Sequence, residues 1–498
     1  MIRQLFRTKS LDAILHEGEV PEHQLKRALG AFDVVMLGIG AIIGAGIFAT
    51  IGTAAAGDIA RPGAGPALIL SFVLTGVACG FAALCYAEFA AMVPISGSAY
   101  TYSYGTLGEL VAWIIGWDLI IEYAVGNVAV AISWTNYFKT LVAGFGVFIP
   151  DWLSTDYRTA SRIPGLLESA PHLFGVPIVC NVVAFSIVAL ITVVLVLGIK
   201  GSSRTNTYMV IVKLIVLAFF VIVGIMYVKP KNWVPFAPNG WAGIQAGAAI
   251  VFFAYIGFDA VSTVAEEVRN PKRDLPIGII GSLIVCTVIY IIVAAVFTGI
   301  IPYPDLVKML STQQAEPLTM ALQYAHIGRW GDVAVGIVAF GSVVAHTAVL
   351  LVFQLGQPRI FFSMARDGLL PDRFARVHPK YRTPHVTTII TGVAVGCTAM
   401  FTSIDEMVDL TNIGTLFAFV LVCVGVIIMR KKEPDKPRGF RTPFVPLIPI
   451  LGIAACIYLM LGLPQITWIR FGLWLIVGMV VYFSYGYSHS HLRKSTLA

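Results

Sequence analysis

The sequence predicts an all-α integral membrane protein of about twelve transmembrane helices, on three observations. Of its 498 residues, 57% are hydrophobic and only 12% charged. With a mean hydropathy of +0.83, the balance is too apolar for a soluble chain of this length. A spanning helix needs about 20 predominantly apolar residues, and runs of that length recur from Ala31 to the C-terminus. The basic residues, finally, sort to one side of the membrane once these runs are laid out.

The runs begin near Ala31, Pro66, Glu109, Val176, Tyr208, Trp241, Ile277, Gly331, His385, Met407, Val445 and Arg470. An even number of spans puts both termini on one side. With the termini inside, roughly two dozen of the 34 Lys and Arg residues fall in the tails and inner loops, as the positive-inside rule requires. The densest inner segments are Arg269 to Arg273, Arg359 to Arg382 and Arg430 to Arg441. The net charge of +7 is therefore a topology signal, and no nucleic-acid partner is expected. The predicted setting is the cell membrane, with the lipid bilayer as partner, both termini cytoplasmic and no oligomeric partner identified.

Residues 1–30 read as a cytoplasmic segment without a cleavable apolar core, and 488–498 as a cytoplasmic tail. The longest outer loop, Gly144 to Gly175, carries Asp151, Asp156, Arg158, Arg162 and several prolines, and reads as exposed with little regular structure. The seven cysteines lie in apolar runs without zinc-site spacing and read as reduced packing residues. The nine histidines are scattered, mostly in loops, and no G-x-x-x-x-G-K-[ST] occurs. No catalytic residue, metal or cofactor is predicted, so neither an enzyme nor a nucleotide-driven pump is expected.

Two spans break the rules of helix sequence. Leu37 to Phe48 places Gly38, Gly40, Gly44 and Gly46 inside the first. Close helix packing explains Gly40 and Gly44. The Gly44-Ala45-Gly46 cluster points instead to a broken helix, whose freed N–H and C=O groups suit a zwitterion at the membrane midplane. The sixth span, Phe252 to Asp259, holds Gly257 and a carboxylate in an otherwise apolar run. Spans one and six are corresponding positions if two five-helix repeats run in sequence, and an odd repeat length inverts the second copy.

Charges inside lipid are few: Asp118 and Glu122 on span three, Lys213 on span five and Asp259 on span six. Such residues are costly and face a cavity or a partner. Lys213 lies about 14 Å from the inner loop by helical rise, beyond the full reach of a snorkelling stem, so a buried partner is expected. Glu122 is a candidate for the side-chain pocket and for proton coupling. Asp118 reads as structural.

These residues, with several further motifs, resemble the cationic amino acid transporter branch of the amino acid–polyamine–organocation superfamily. The motifs are Leu25 to Asp33, Cys85 to Phe89, Pro94 to Tyr104, Gly116 to Leu119, Glu122-Tyr123, Glu266 to Pro276 and Met364 to Pro371. The resemblance runs from about Leu25 to Tyr487 and implies a LeuT-like fold of two inverted five-helix repeats plus two helices. Those repeats correspond to residues 31–228 and 241–430, with the additional pair at 444–487. It implies an L-amino acid whose carboxylate meets N–H groups of Gly44, Ala45 and Gly46. The amine would meet carbonyls of Ile42 or Ile43 and of Phe253, Ala254 or Ile256. Phe253 matches the shielding aromatic position and, with Asp259, is a gating candidate. The resemblance also implies that Lys213 replaces a coupling cation, making protons the driving partner. Val343 or Val344 with Phe253 would form an apolar pocket, favouring small or medium neutral substrates over cationic ones. Gly46→Val is expected to abolish binding by invading the space for the carboxylate. A cationic substrate, exchange, or sensing without flux are the alternatives.

Overall fold

The computed structural model describes residues 5–9, 27–93, 98–198, 203–310, 316–381 and 383–494. Most of the N-terminal segment, the end of the tail, Leu25, Lys26 and the Pro94 to Gly97 part of one motif lie outside the described residues. Among the described residues, nine helices are long and apolar enough to cross a membrane. They are Ala31–Ala56, Gly65–Met92, Glu109–Ala143, Asn206–Ile225, Gly240–Ser262, Pro271–Ile300, Gly328–Arg366, Ile404–Lys432 and Gln465–His489. Three shorter apolar helices, Val182–Val196, His385–Phe401 and Leu447–Met460, occupy the remaining predicted runs. In chain order these are spans one to twelve.

Helix is the expected state here because lipid offers no partner to a backbone N–H or C=O, so each must be satisfied within its own segment. The side chains divide accordingly. Leu190, Val193, Ile215, Ile222 and Ile476 are exposed and present an apolar surface suited to acyl chains, while the bundle interior buries Ser, Thr, Asn and the intramembrane charges.

The described residues near the two termini, Lys9 and His491, meet on one face. Asp367, after span eight, accepts from Lys9 Nζ at 2.9 Å and Tyr100 Oη at 2.6 Å, and its carbonyl accepts from the His491 N–H at 3.0 Å. Glu88, at the end of span two, accepts from Arg430 at 2.7 Å and from the Thr442 N–H at 2.8 Å, which ties span two to the loop between spans ten and eleven. The Leu29 N–H donates to the Glu267 carbonyl at 3.0 Å, and the Arg269 N–H to the Leu29 carbonyl at 2.9 Å. Several residues that carry the family resemblance are thus staples of this face.

Span one leaves the termini face and span six returns to it. Leu29 before span one is bonded to Glu267 after span six, while at the opposite face Asn239 Nδ2 donates to the Gly63 carbonyl at 2.8 Å. The antiparallel course of the two broken spans is what an inverted repeat requires.

The loop after span three departs from expectation. It contains helices Tyr157–Arg162 and Leu166–Ser169 and a small antiparallel pair, His172–Leu173 with Val176–Pro177. Asp156 caps the first of these helices, accepting from the Arg158 and Thr159 N–H groups at 3.0 Å. Ala160, Leu166, Ala170 and Val179 form a separate small core beneath Trp152 and Ile163. Its prolines and charges conceal a short amphipathic pattern, so the composition suggests a loop where capping and local burial fold one.

Candidate functional site

The first span ends its leading helix at Ile42, and Ile43 is extended at φ −75° and ψ 104°. The chain resumes in a wide π turn, Gly46–Thr50, before Ile51–Ala56 completes the span. The sixth span is helical over Gly240–Val251, tightens over Phe252–Tyr255, and opens at Ile256 with φ −62° and ψ 134°. Gly257 follows at φ +119°, a conformation L side chains avoid, and a Cβ there would lie 2.7 Å from the Ala41 carbonyl oxygen.

The two breaks face each other. A Cβ on Gly46 would lie 2.1 Å from Ala254 Cα, and one on Gly44 would lie 2.5 Å from Val349 Cγ2. The break expected from the glycine cluster is present, but the first obstacle to Gly46→Val is Ala254 and not a carboxylate. Gly46 is needed for the close approach of span six, and a substitution there acts first by forcing the two spans apart. The N–H groups of Gly44, Ala45 and Gly46 head the second half of span one, where a helix start has no intrahelical acceptor.

The freed carbonyls have specific partners. Lys213, fully buried, donates to the Gly40 carbonyl at 2.7 Å and the Ile43 carbonyl at 2.8 Å. Tyr290 Oη lies 3.1 Å from the Ile42 carbonyl and 2.8 Å from that of Ala254, so one phenol proton serves both breaks. Asn412 Nδ2 donates to Ala249 at 2.8 Å and Ile250 at 3.3 Å. Tyr290 and Asn412 were not among the sequence candidates. Their only signal is a polar side chain in an apolar span.

Between the breaks lies a cavity of about 10 Å³, roughly the space one water needs, so the site is closed in this conformation. Ile42, Gly44, Ala45, Gly46, Phe253 and Ile256 line it, as do Val130, Val349 and Phe353, which sequence reasoning passed over. Ile43 and Ala254 stand beside it with their carbonyls engaged by Lys213 and Tyr290. Val343 and Val344 do not line it. Val349, about a turn and a half further along span eight, takes that place.

Glu122 also lies outside this cavity. It faces Asp259 and Thr415, and Asp259 in turn sits 3.5 Å from Tyr123 Oη. Asp118 packs toward Gly414, whose added Cβ would meet its Oδ1 at 2.9 Å. Buried oxygens of all three carboxyls lack a hydrogen-bond partner among the described residues. A further buried group, His346 of span eight, bonds Ser133 Oγ at 2.6 Å and the Ser342 carbonyl at 2.7 Å, and was missed because a lone histidine in an apolar run carries no pattern.

Two opposed broken helices at the centre of a twelve-span bundle, with a buried lysine on one break, define a multi-pass membrane protein of the secondary-transporter class. The family model for amino acid permeases matches residues 29–483. The chain belongs to the amino acid permease family, and amino acid transport is the activity that membership carries. It is 47% identical to a branched-chain amino acid permease of Bacillus subtilis, over 98% of this chain and 99% of that one. It is 45% identical to a methylthioribose transporter of the same organism, over 98% and 99%. It is 31% identical to a vacuolar cationic amino acid transporter of Arabidopsis thaliana, over 99% and 97%.

Proposed function

We propose that the protein takes up small or medium neutral L-amino acids across the cell membrane by proton-coupled alternating access, with both termini cytoplasmic. The observation that carries the coupling is the Lys213 ammonium bridging the Gly40 and Ile43 carbonyls at the break of span one. Charge-assisted bonds are roughly twice as strong as neutral ones. Loss of the proton therefore weakens the tie between span five and the break, which frees span one to move.

Substrate is held by the backbone, its carboxylate at the Gly44 to Gly46 N–H groups and its amine at the remaining lone pairs of the break carbonyls. The neutral preference is supported by a cavity lined by Val130, Val349, Phe253 and Phe353, with Glu122 and Asp259 outside it. A cationic side chain would lack an anionic partner there, which is costly. The branched-chain permease relative points the same way. Phe253 and Asp259 are the proposed gating residues.

The almost equally similar methylthioribose transporter supports a second reading, a thio-sugar as substrate. One experiment separates the readings: uptake into proteoliposomes of leucine, alanine, arginine and methylthioribose, with proton and sodium gradients imposed separately. Leucine or alanine accumulation driven by an inward proton gradient and indifferent to sodium is expected. Saturable arginine uptake without alanine competition, or methylthioribose uptake alone, overturns the assignment.

A further inference from the structure

Spans four and nine are short and lie side by side. Val182–Val196 has 15 residues and His385–Phe401 has 17, about 22 and 25 Å by helical rise, against a hydrocarbon core of about 30 Å. They are tied at both ends. The Asn181 N–H donates to the Met400 carbonyl at 3.0 Å, and Thr383 Oγ1 to the Val196 carbonyl at 2.9 Å. Lys200 and Arg382 adjoin the inner ends in sequence and fix that boundary, so the shortfall falls in the outer leaflet, where an exposed Phe401 ends span nine. Tilt only widens it.

The folded loop after span three puts an apolar hairpin at this place. Between Glu168 and Lys200 the sequence has no Asp, Glu, Lys or Arg, and the fourth apolar run, which begins near Val176, enters helix only at Val182. The residues before the helix form the second strand of the hairpin and its continuation. Leu173 pairs directly with Val176, and Val176 and Ile178 share a face by the period of two, while Val179 turns into the small core of the loop. Leu173, Val176 and Ile178 are exposed, and Phe174 at the tip is 98% exposed. Phe174 at φ +51° and Gly175 at φ +82° are both left-handed, as in a two-residue hairpin turn that ordinarily takes Asn, Asp or Gly. The hairpin is braced at its base. The Ile178 N–H donates to the Pro171 carbonyl at 2.8 Å, and the Cys180 N–H to the Trp152 carbonyl at 2.9 Å.

A braced aromatic tip on an uncharged apolar face, followed along the chain by the exposed Leu190 and Val193 of span four, suits the lipid interface and not open water. We propose that hairpin 172–177 is an interfacial anchor that inserts into the outer leaflet and fills the hydrocarbon height that spans four and nine leave uncovered. The occupant of the apolar face is lipid. Four side chains are too few for a stable protein interface, which buries upward of about 1,000 Å², and the patch continues the lipid-facing surface of span four. The same folded loop, through Ser154 to Ile163, walls a large outer cavity of about 470 Å³. The anchor therefore ties that wall to the bilayer while the spans beneath it move.

The test needs no transport assay. Cys180→Ser and Cys397→Ser remove the native thiols that are not buried, and a bimane label is placed on Phe174→Cys in proteoliposomes. Its fluorescence is quenched in turn by lipid spin-labelled near the head of the acyl chain and by iodide on both sides of the membrane. The lipid quencher should act at least about threefold more strongly here than on Glu168→Cys, an exposed position of the same loop, with iodide in the reverse order. In short-chain lipid, whose core is thinner, iodide quenching at Phe174→Cys should rise toward the Glu168→Cys level as the hairpin emerges. Leu173→Cys gives the same readout if Phe174→Cys does not fold. Iodide quenching of the hairpin labels equal to that of Glu168→Cys overturns the anchor. So does shielding from both quenchers, the signature of a second copy of the chain covering the tip. Iodide quenching that ignores lipid thickness refutes the role of the hairpin in covering the short spans.

Discussion

The two breaks meet the same difficulty with different chemistry. In span one, the carbonyls freed at Gly40 and Ile43 are satisfied by the Lys213 ammonium. In span six, those of Ala249 and Ile250 are satisfied by the neutral amide of Asn412. Only the first donor can change its charge. In the proposed coupling, the first break responds to a proton and the second holds still, with Tyr290 bonded to both. The same contrast appears in the backbone. Span six locks its bend with Gly257 at φ +119° against Ala41, whereas span one bends through an ordinary extended Ile43.

The largest effect should come from attacking the fixed break. Gly257→Val places a β-branched residue at φ +119° with its Cβ 2.7 Å from the Ala41 carbonyl oxygen. Strain of this kind costs about 1–3 kcal/mol before the clash is added. We expect little monodisperse protein by size-exclusion chromatography, and normal yield would refute a rigid span-six break. Next comes the responsive break. Lys213→Ala should leave leucine binding measurable by displacement, yet proteoliposomes under a proton gradient should reach only the outside concentration. Undiminished accumulation would make Lys213 structural.

Asn412→Ala strands two buried carbonyls, which should lower thermal stability by the equivalent of about 1–3 kcal/mol. The pH profile of uptake should not shift, and a shift would erase the distinction between the breaks. Tyr290→Phe removes one shared proton and should cost about 1 kcal/mol, read as a smaller drop in melting temperature than Asn412→Ala produces.

The smallest effect is a control outside the spans. Burial raises the Glu316 carboxyl from 4.5 to about 7, although Thr140 Oγ1 donates to it at 2.7 Å. A carboxyl raised on folding favours the folded state below its unfolded value and loses that contribution as pH rises toward the folded one. Wild-type thermal stability should therefore decline between pH 4.5 and about 7 by a component that Glu316→Gln abolishes. The proton dependence of uptake should survive the substitution.

The number and course of the spans were legible because hydropathy is a local property counted along the chain. The breaks were legible too, since glycine clusters in apolar runs are unusual wherever they occur. Lys213 was singled out because a lone charge in lipid requires a partner. The side-chain pocket was read less well. Val343 and Val344 were expected and Val349 is found, because the rotation of span eight about its axis follows from packing against Gly44 and is not encoded in its own periodicity. The loop after span three was misread as irregular, since its small core depends on residues from Trp152 to Val179 folding back together.

By itself, then, the sequence determined a twelve-span membrane protein with two interrupted helices, a buried lysine and the signatures of a permease family. Tertiary structure alone decided what those features touch. Lys213 meets Gly40 across 173 positions of chain, and Tyr290 meets Ile42 across 248. The wall of the large outer cavity joins Arg162 of the loop after span three to Asp405 at the start of span ten. A hydrogen bond is a distance in space, and no periodicity along the chain records which distant residues folding brings within three ångströms.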